Sequence, residues 1–294
     1  MSHLIENKFG HGAKPQPRLA RFIRKTWKRA RGQVLGSGMG FDWNTGFDVR
    51  DIIGPIAIKN QGTNFSCSGQ AGSYFLEIQR RLQEIKEGAI SAKSIYAPIA
   101  APGGGATISD LNMQISTRGA NLEATVPSVN QDGSPLPEVM MIDTSFENKG
   151  SIAAALLRAG YVPFDCQDDI DSVAVNIQQN GAVIMMIRGK NNGTWLSPNP
   201  QPPTSDNPNP YFYHYMCLIG AKMINGKKTI IALQSLGEET GDHGIQYFDE
   251  GYWNSGNIID CFTYIFAKNI KPLPTNHSIF AAVISWFRKL FGFQ

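Results

Sequence analysis

A cysteine at the head of a long amphipathic helix constrains this chain more than any other feature. After Cys67, apolar residues fall at Ala71, Tyr74, Phe75, Ile78, Leu82 and Ile85, while Glu77, Arg80, Arg81, Glu84 and Lys86 take the opposite face. That is the period of a helix with one buried side. Ser66 is its expected N-cap and Gly88 its expected stop. Unpaired backbone N–H groups at a helix N-terminus favour thiolate over thiol, so the pKa of Cys67 is expected to be lowered. Taken alone, Cys67 reads as a small buried residue at the start of a core helix, because free Cys packs well inside. Gln61 shifts that balance: it stands six residues upstream in a Gly-bounded turn, where its amide can point back at the thiol.

A nucleophilic thiolate needs a base, and the base needs a third group to orient it. Of five histidines, His3, His11 and His277 lie in the tails. His214 follows Cys67 by 147 residues and opens an apolar run at 211–220. A lone histidine on a strand is more often structural than catalytic, and His243 is a rival. The run 233–245 reads Leu-Gln-Ser-Leu-Gly-Glu-Glu-Thr-Gly-Asp-His-Gly-Ile.

These residues together resemble the papain-like cysteine peptidases, papain and cathepsin type, in a divergent form. In that family the catalytic Cys opens a long helix after an Asn-Gln-Gly turn, matched here by Asn60, Gln61, Gly62 and Cys67. The family's Asn-Ser-Trp-Gly stretch, with its later Gly, acidic residue and Gly, aligns without a gap on Ser235, Gly237, Gly241, Asp242 and Gly244. Phe41, Asp42 and Trp43 match the way such domains begin. The resemblance implies an α+β fold with a helical left subdomain, an antiparallel β-barrel-like right subdomain and the cleft between them. It implies peptide-bond hydrolysis by Cys67, with His214 as base, Gln234 orienting His214, and Gln61 with the Cys67 N–H stabilising the oxyanion. Gly104, Gly105 and Tyr213 fall on the substrate side, and Met185, Met186, Phe212 and Tyr215 would line a pocket for an apolar side chain. His243 falls at a turn position that points away from the cleft. Departures are plain: Gln234 replaces the orienting Asn, Leu236 replaces the Trp that shields it, and Asn64, Phe65 and Ser68 replace residues around the nucleophile.

Asn64 stands where secreted members place a disulfide cysteine, which suits a reducing compartment. Cys67, Cys166, Cys217 and Cys261 lack metal-ligand spacing, so neither metal nor cofactor is expected. No signal-peptide run or bilayer-length apolar segment stands out, and a cytoplasmic or virion-associated setting is expected.

The chain's net charge of +3 hides an asymmetry. Residues 1–40 hold nine Lys and Arg against Glu6, a net of +8, leaving 18 basic against 23 acidic residues, a net of −5, over 41–294. We divide the chain into a basic arm and linker at 1–40, a peptidase domain at 41–270, and an amphipathic C-terminal helix at 271–294. The domain is mainly helical over 41–150 and mainly β over 151–270. Residues 1–17 read as a flexible tail and 18–31 as a basic amphipathic helix; the arm is shorter than the inhibitory propeptide of papain-like zymogens. Segments 18–31 and 279–294 could contact a protein assembly or a membrane surface, or pack on the same chain. Residues 191–210, rich in Asn and Pro, read as a surface loop.

Two other functions fit parts of this pattern. A catalytically retired papain-like scaffold would explain Gln234 and Leu236, and would act as a structural or binding protein, for example in a viral particle. A nucleic-acid or anionic-membrane binder would explain the arm, but the acidic body opposes extended nucleic-acid contact.

Overall fold

The computed structural model describes residues 12–14, 40–84, 88–146, 161–164, 169–206 and 208–264. The expected helices at 18–31 and 271–294, a short helix that the sequence suggests at 152–157, and Cys166 lie outside them. The helical half runs β1 (Ala13–Lys14), β2 (Phe47–Asp48), α1 (Arg50–Ile53), α2 (Cys67–Leu82), α3 (Ala92–Tyr96), β3 (Ala106–Thr107), α4 (Ile108–Met113) and α5 (Glu138–Met141). The strand-rich half follows with β4 (Tyr161–Phe164), α6 (Ile170–Asn180), β5 (Val183–Lys190), β6 (Tyr211–Ile224), β7 (Lys227–Leu233), β8 (Ile245–Asp249), α7 (Glu250–Asn254) and β9 (Ile258–Tyr264). The fold is α+β.

Local chemistry explains most boundaries. Ser91 caps α3 by accepting from the Ser94 N–H at 3.0 Å, and Asp169 caps α6 by accepting from the Ser172 N–H at 3.0 Å. Helix α2 begins at Cys67 as its periodicity requires, but it stops at Leu82 rather than near Gly88, because Glu84 already takes a left-handed φ of 61°. The amphipathic pattern over 108–119 suggests a single helix, but the segment folds as α4 followed by a wider π turn at Gln114–Arg118, which Gly119 ends with φ 71°.

The main sheet has the order β4-β9-β5-β6-β7-β8, each pair antiparallel, and β2 pairs with the far end of β6. Asn225 and Gly226, with φ 51° and 74°, make the two-residue turn from β6 to β7. Both faces of the sheet are covered. Phe75 and Ile78 of α2 pack with Tyr215, Cys217 and Ile219 on one face, and Val173 and Ile177 of α6 pack with Met185, Ile187 and Met216 on the other. Each such side chain contributes about 1.5–3 kcal/mol on burial. Cover on both faces is also why β5 reads as an unbroken apolar run.

Helices α2 and α3 pack in close contact near the head of α2. A Cβ on Gly69 would come 2.4 Å from the Ala92 carbonyl oxygen, so only glycine lets the two helices meet there. That contact holds the Cys67 end of α2 against the segment leading to the glycines at 103–105.

Candidate active site

The loop before Cys67 is held by side-chain amides. Asn64 Nδ2 donates to the Leu136 carbonyl at 2.8 Å, and Asn64 Oδ1 accepts from the Ser66 N–H at 3.1 Å and the Ser66 hydroxyl at 2.6 Å. This clamp joins the loop to a segment 72 residues away, as a disulfide would. Ser66 occupies the N-cap position, yet its hydroxyl is spent on Asn64 and makes no capping bond to α2. Glu138 reinforces the same wall: it accepts from the Phe65 N–H at 2.8 Å and from the Tyr96 hydroxyl at 2.6 Å, and that hydroxyl accepts from the Gly105 N–H at 2.8 Å.

Across from it, residues 59–61 are zipped to 235–237. Asn60 bridges Leu236, the Gln61 N–H donates to the Ser235 carbonyl at 2.8 Å, and the Gly237 N–H donates to the Lys59 carbonyl at 3.2 Å. Tyr74, two turns into α2, accepts from the Lys59 N–H at 2.5 Å and donates to the Gln234 carbonyl at 3.0 Å. Helix α2 and the end of β7 are therefore set against each other by one hydroxyl.

Within this frame Gln61 is fully buried, its Nε2 donating to the Asn64 carbonyl at 2.9 Å and its Oε1 accepting from the Ser235 hydroxyl at 2.7 Å. His214 Nε2 and Gln234 Oε1 lie 2.6 Å apart, both side chains fully buried. The longer stem of Gln234 thus reaches the imidazole. His243 is exposed in a turn with φ 49°.

The Cys67 thiol is fully buried, and burial pushes its pKa up to about 11, although the N–H groups of Tyr215, Gly12, Ser68 and Cys67 itself pull it down. The expectation of a lowered pKa is overturned. Loss of water around the sulfur outweighs the field of the helix end. Burial likewise pushes His214 down to about 4, against the opposing hydrogen bond from Gln234.

The chain's own N-terminal segment packs into the same core cluster as Cys67, which corrects the reading of residues 12–14 as flexible tail. Strand β1 pairs in parallel with β3, Ala13 opposite Ala106 and Lys14 opposite Thr107. The Ala106 N–H donates to the Gly12 carbonyl at 2.8 Å, and Lys14 Nζ donates to the Pro102 carbonyl at 3.0 Å. Glycines make the approach possible: a Cβ on Gly105 would come 2.1 Å from the Gly12 oxygen, and one on Gly12 would come 1.7 Å from the Phe65 oxygen. A Cβ on Gly104 would strike the Phe65 ring at 2.3 Å. Gly104 and Gly105 thus line a wall that accepts extended backbone, with Ala106 supplying the donor.

Tyr213 is half-buried on β6, beside Arg188 across the ladder. The four-residue apolar pocket expected from sequence does not form. Met186 and Tyr215 pack on the α2 face of the sheet, whereas Met185 and Phe212 pack on the other, because neighbours along a strand alternate.

Two contributors escaped the sequence. Trp195 sits in the loop read as surface, yet it is 1% exposed and meets the His214 ring edge-on at 5.9 Å, shielding the imidazole from a different segment than the Trp replaced by Leu236. Gln246 is fully buried and accepts from Gln234 Nε2 at 2.9 Å. A Trp inside a polar run and a Gln on the inward face of a strand were the available signals. Cys67, Cys217 and Cys261 are all buried. Among the described residues, no group of three or more His, Cys, Asp or Glu side chains gathers to hold a metal, and no helix is long and apolar enough to cross a membrane.

The two buried titratable groups make stability depend on pH at both ends. Unfolded His214 would bind a proton below its ordinary 6.5 while the folded ring stays neutral to about 4, so stability is lost as pH falls through that window. Unfolded Cys67 would ionise above 9.0 while the folded thiol holds its proton to about 11, so stability is lost again as pH rises through that range. The acid limb is worth on the order of 3 kcal/mol. Urea midpoints measured from pH 4 to 7 should fall on acidification, and His214→Gln should flatten that fall.

This arrangement has the papain-like cysteine-protease fold. Solved structures of that class superpose on most of the chain. Xylellain, a cysteine protease from Xylella fastidiosa, matches with a TM-score of 0.65 at 16% identity, over 87% of this chain and 96% of that one. A ragweed pollen allergen cysteine protease in its proform matches at 0.60 and 16% identity, over 90% and 78%. The bromelain protease from Ananas comosus matches at 0.53 and 19% identity, over 75% and 98%. No family model and no curated protein matches the sequence.

Proposed function

We propose that the chain is a papain-like thiol peptidase held latent by its own N-terminal segment. The observation that carries this reading is the buried His214–Gln234 hydrogen bond at 2.6 Å. With Nε2 engaged by Gln234, the Cys67 proton passes to His214 Nδ1. The sulfur then attacks the scissile carbonyl of a peptide or protein substrate, forming an S–C bond and a tetrahedral oxyanion. Gln61 Nε2 and the Cys67 N–H stabilise that charge. Collapse breaks the C–N bond, the amine leaves with the proton from His214, and water, deprotonated by His214, releases the acyl group and restores the thiol. Gly104, Gly105 and the neighbouring Ala106 N–H hold substrate backbone where residues 12–14 now lie, and Tyr213 flanks that path. The segments 18–31 and 279–294 are proposed as contacts to a protein assembly or membrane surface.

In the present state the thiol is fully buried, so activity requires the arm to leave. The carbonyl of Gly12 is turned to the Ala106 N–H, so the arm offers Cys67 no carbonyl at Gly12 to attack.

A retired scaffold is the second reading, favoured by the raised thiol pKa together with Gln234 and Leu236 in place of Asn and Trp. Labelling with a thiol-directed epoxide separates the two. The peptidase reading expects modification of Cys67 well ahead of Cys166, Cys217 and Cys261 once the arm is displaced, with peptide cleavage lost in step. Equal, slow labelling of all four cysteines sinks it.

A further inference from the structure

We propose that Gln246 is a positioning residue that sets the tautomer of His214 through Gln234. A carboxamide has two ends of nearly the same shape, one that only donates and one that only accepts. Unless something outside fixes it, a buried Gln can turn over and present the wrong end to its partner. Gln234 needs such fixing, because the stem that lets it reach His214 carries one more torsion than the Asn of related enzymes.

Gln246 provides it, since its own orientation is decided by groups that cannot change sign. Gln246 Nε2 donates to the Trp195 carbonyl and to the Ser197 carbonyl at 3.0 Å. Backbone carbonyls only accept, so Gln246 must turn its nitrogen to them and its oxygen to Gln234. That oxygen receives Gln234 Nε2 at 2.9 Å. Gln234 Oε1 is then committed to His214 Nε2 at 2.6 Å and also accepts from the Ser235 N–H at 3.0 Å. An oxygen facing Nε2 requires the proton on Nε2, which makes Nδ1 the basic nitrogen. All three side chains are fully buried, so no water competes for these ends. The anchoring carbonyls belong to the loop whose Trp195 covers the His214 ring, so one loop both shields the imidazole and sets its protonated nitrogen.

The catalytic consequence rests on the peptidase reading; the tautomer does not. The first measurement is the imidazole ¹⁵N spectrum of the full-length wild-type protein at pH 7, which should show His214 protonated at Nε2 and bare at Nδ1. A wild-type spectrum with the proton on Nδ1 overturns the proposal, whether or not any variant folds. Gln246→Met, similar in length but unable to hold either amide, should give a mixture of tautomers. In a Gly12→Val background, which lifts residues 12–14 off Phe65, it should also lower kcat by on the order of 10-fold or more with KM little changed, since a wrongly protonated ring is a poor base. In a Gln234→Ala background, Gln246→Met should cost less than about 2-fold further, because its effect runs through Gln234. Equal losses in both backgrounds would reduce Gln246 to general packing and reject the positioning role. A correct tautomer that responds to Gln246→Met in a protein that cleaves no peptide would retire the peptidase and keep the positioning residue.

Discussion

Gly12→Val is expected to raise the alkylation rate of Cys67 on the order of 100-fold at neutral pH. A Cβ at Gly12 lies 1.7 Å from the Phe65 carbonyl oxygen and 2.4 Å from its carbon, both backbone atoms that a rotamer change cannot move. The arm must therefore lift, breaking the Ala106 to Gly12 hydrogen bond and letting water reach the sulfur. Burial is what pushes the thiol from an ordinary 9.0 up to about 11. Removing that displacement increases the thiolate fraction about 100-fold, and the helix end can then lower the pKa further. The rate is read by mass spectrometry of iodoacetamide-treated protein, with Cys217 and Cys261 as internal controls because both lie in the core. Peptide hydrolysis should rise with it. Unchanged labelling of Cys67 would show that residues 12–14 do not gate the sulfur.

Gln61→Ala, made in the uncovered protein, is expected to lower kcat by about 100-fold or more while leaving alkylation of Cys67 within a few-fold. Alkylation passes through no oxyanion, whereas acyl transfer loses one of its two proposed donors. The bonds to Asn64 and Ser235 hold the Gln61 amide at both ends, so it is pre-oriented before substrate arrives. Its loss also leaves the buried Ser235 hydroxyl without that acceptor, which should destabilise the fold by about 1–3 kcal/mol. A urea titration separates this from catalysis: a kcat loss that tracks the fraction unfolded would mean that Gln61 acts only as a brace.

The parts of the fold legible in sequence were those where one physical signal acts locally. The 3.6-residue period beginning at Cys67 placed α2, and an Asn-Gly pair such as Asn225-Gly226 favours the two-residue hairpin turn found between β6 and β7, because each depends on a few adjacent residues. The glycine spacing around Ser235 carried the resemblance that led to His214 and Gln234. Helix length was less legible: nothing in the period distinguishes Leu82 from Ile85, and the end came from Glu84 turning left-handed. Trp195 was misread because loop composition describes its neighbours, while its burial depends on His214, which is supplied by a different element.

The sequence by itself determined a cysteine-headed amphipathic helix, a strand-rich second half and an α+β architecture, since periodicity and turn chemistry are properties of short stretches. Only the tertiary structure decided the burial of Cys67, the orientation of Gln234 by Gln246, and the seating of Gly12 against Phe65 and Ala106. Each of those is set by desolvation or by a hydrogen-bond partner brought in from a distant segment. Solvent exclusion has no local signature in a chain, and it is solvent exclusion that raises the thiol here.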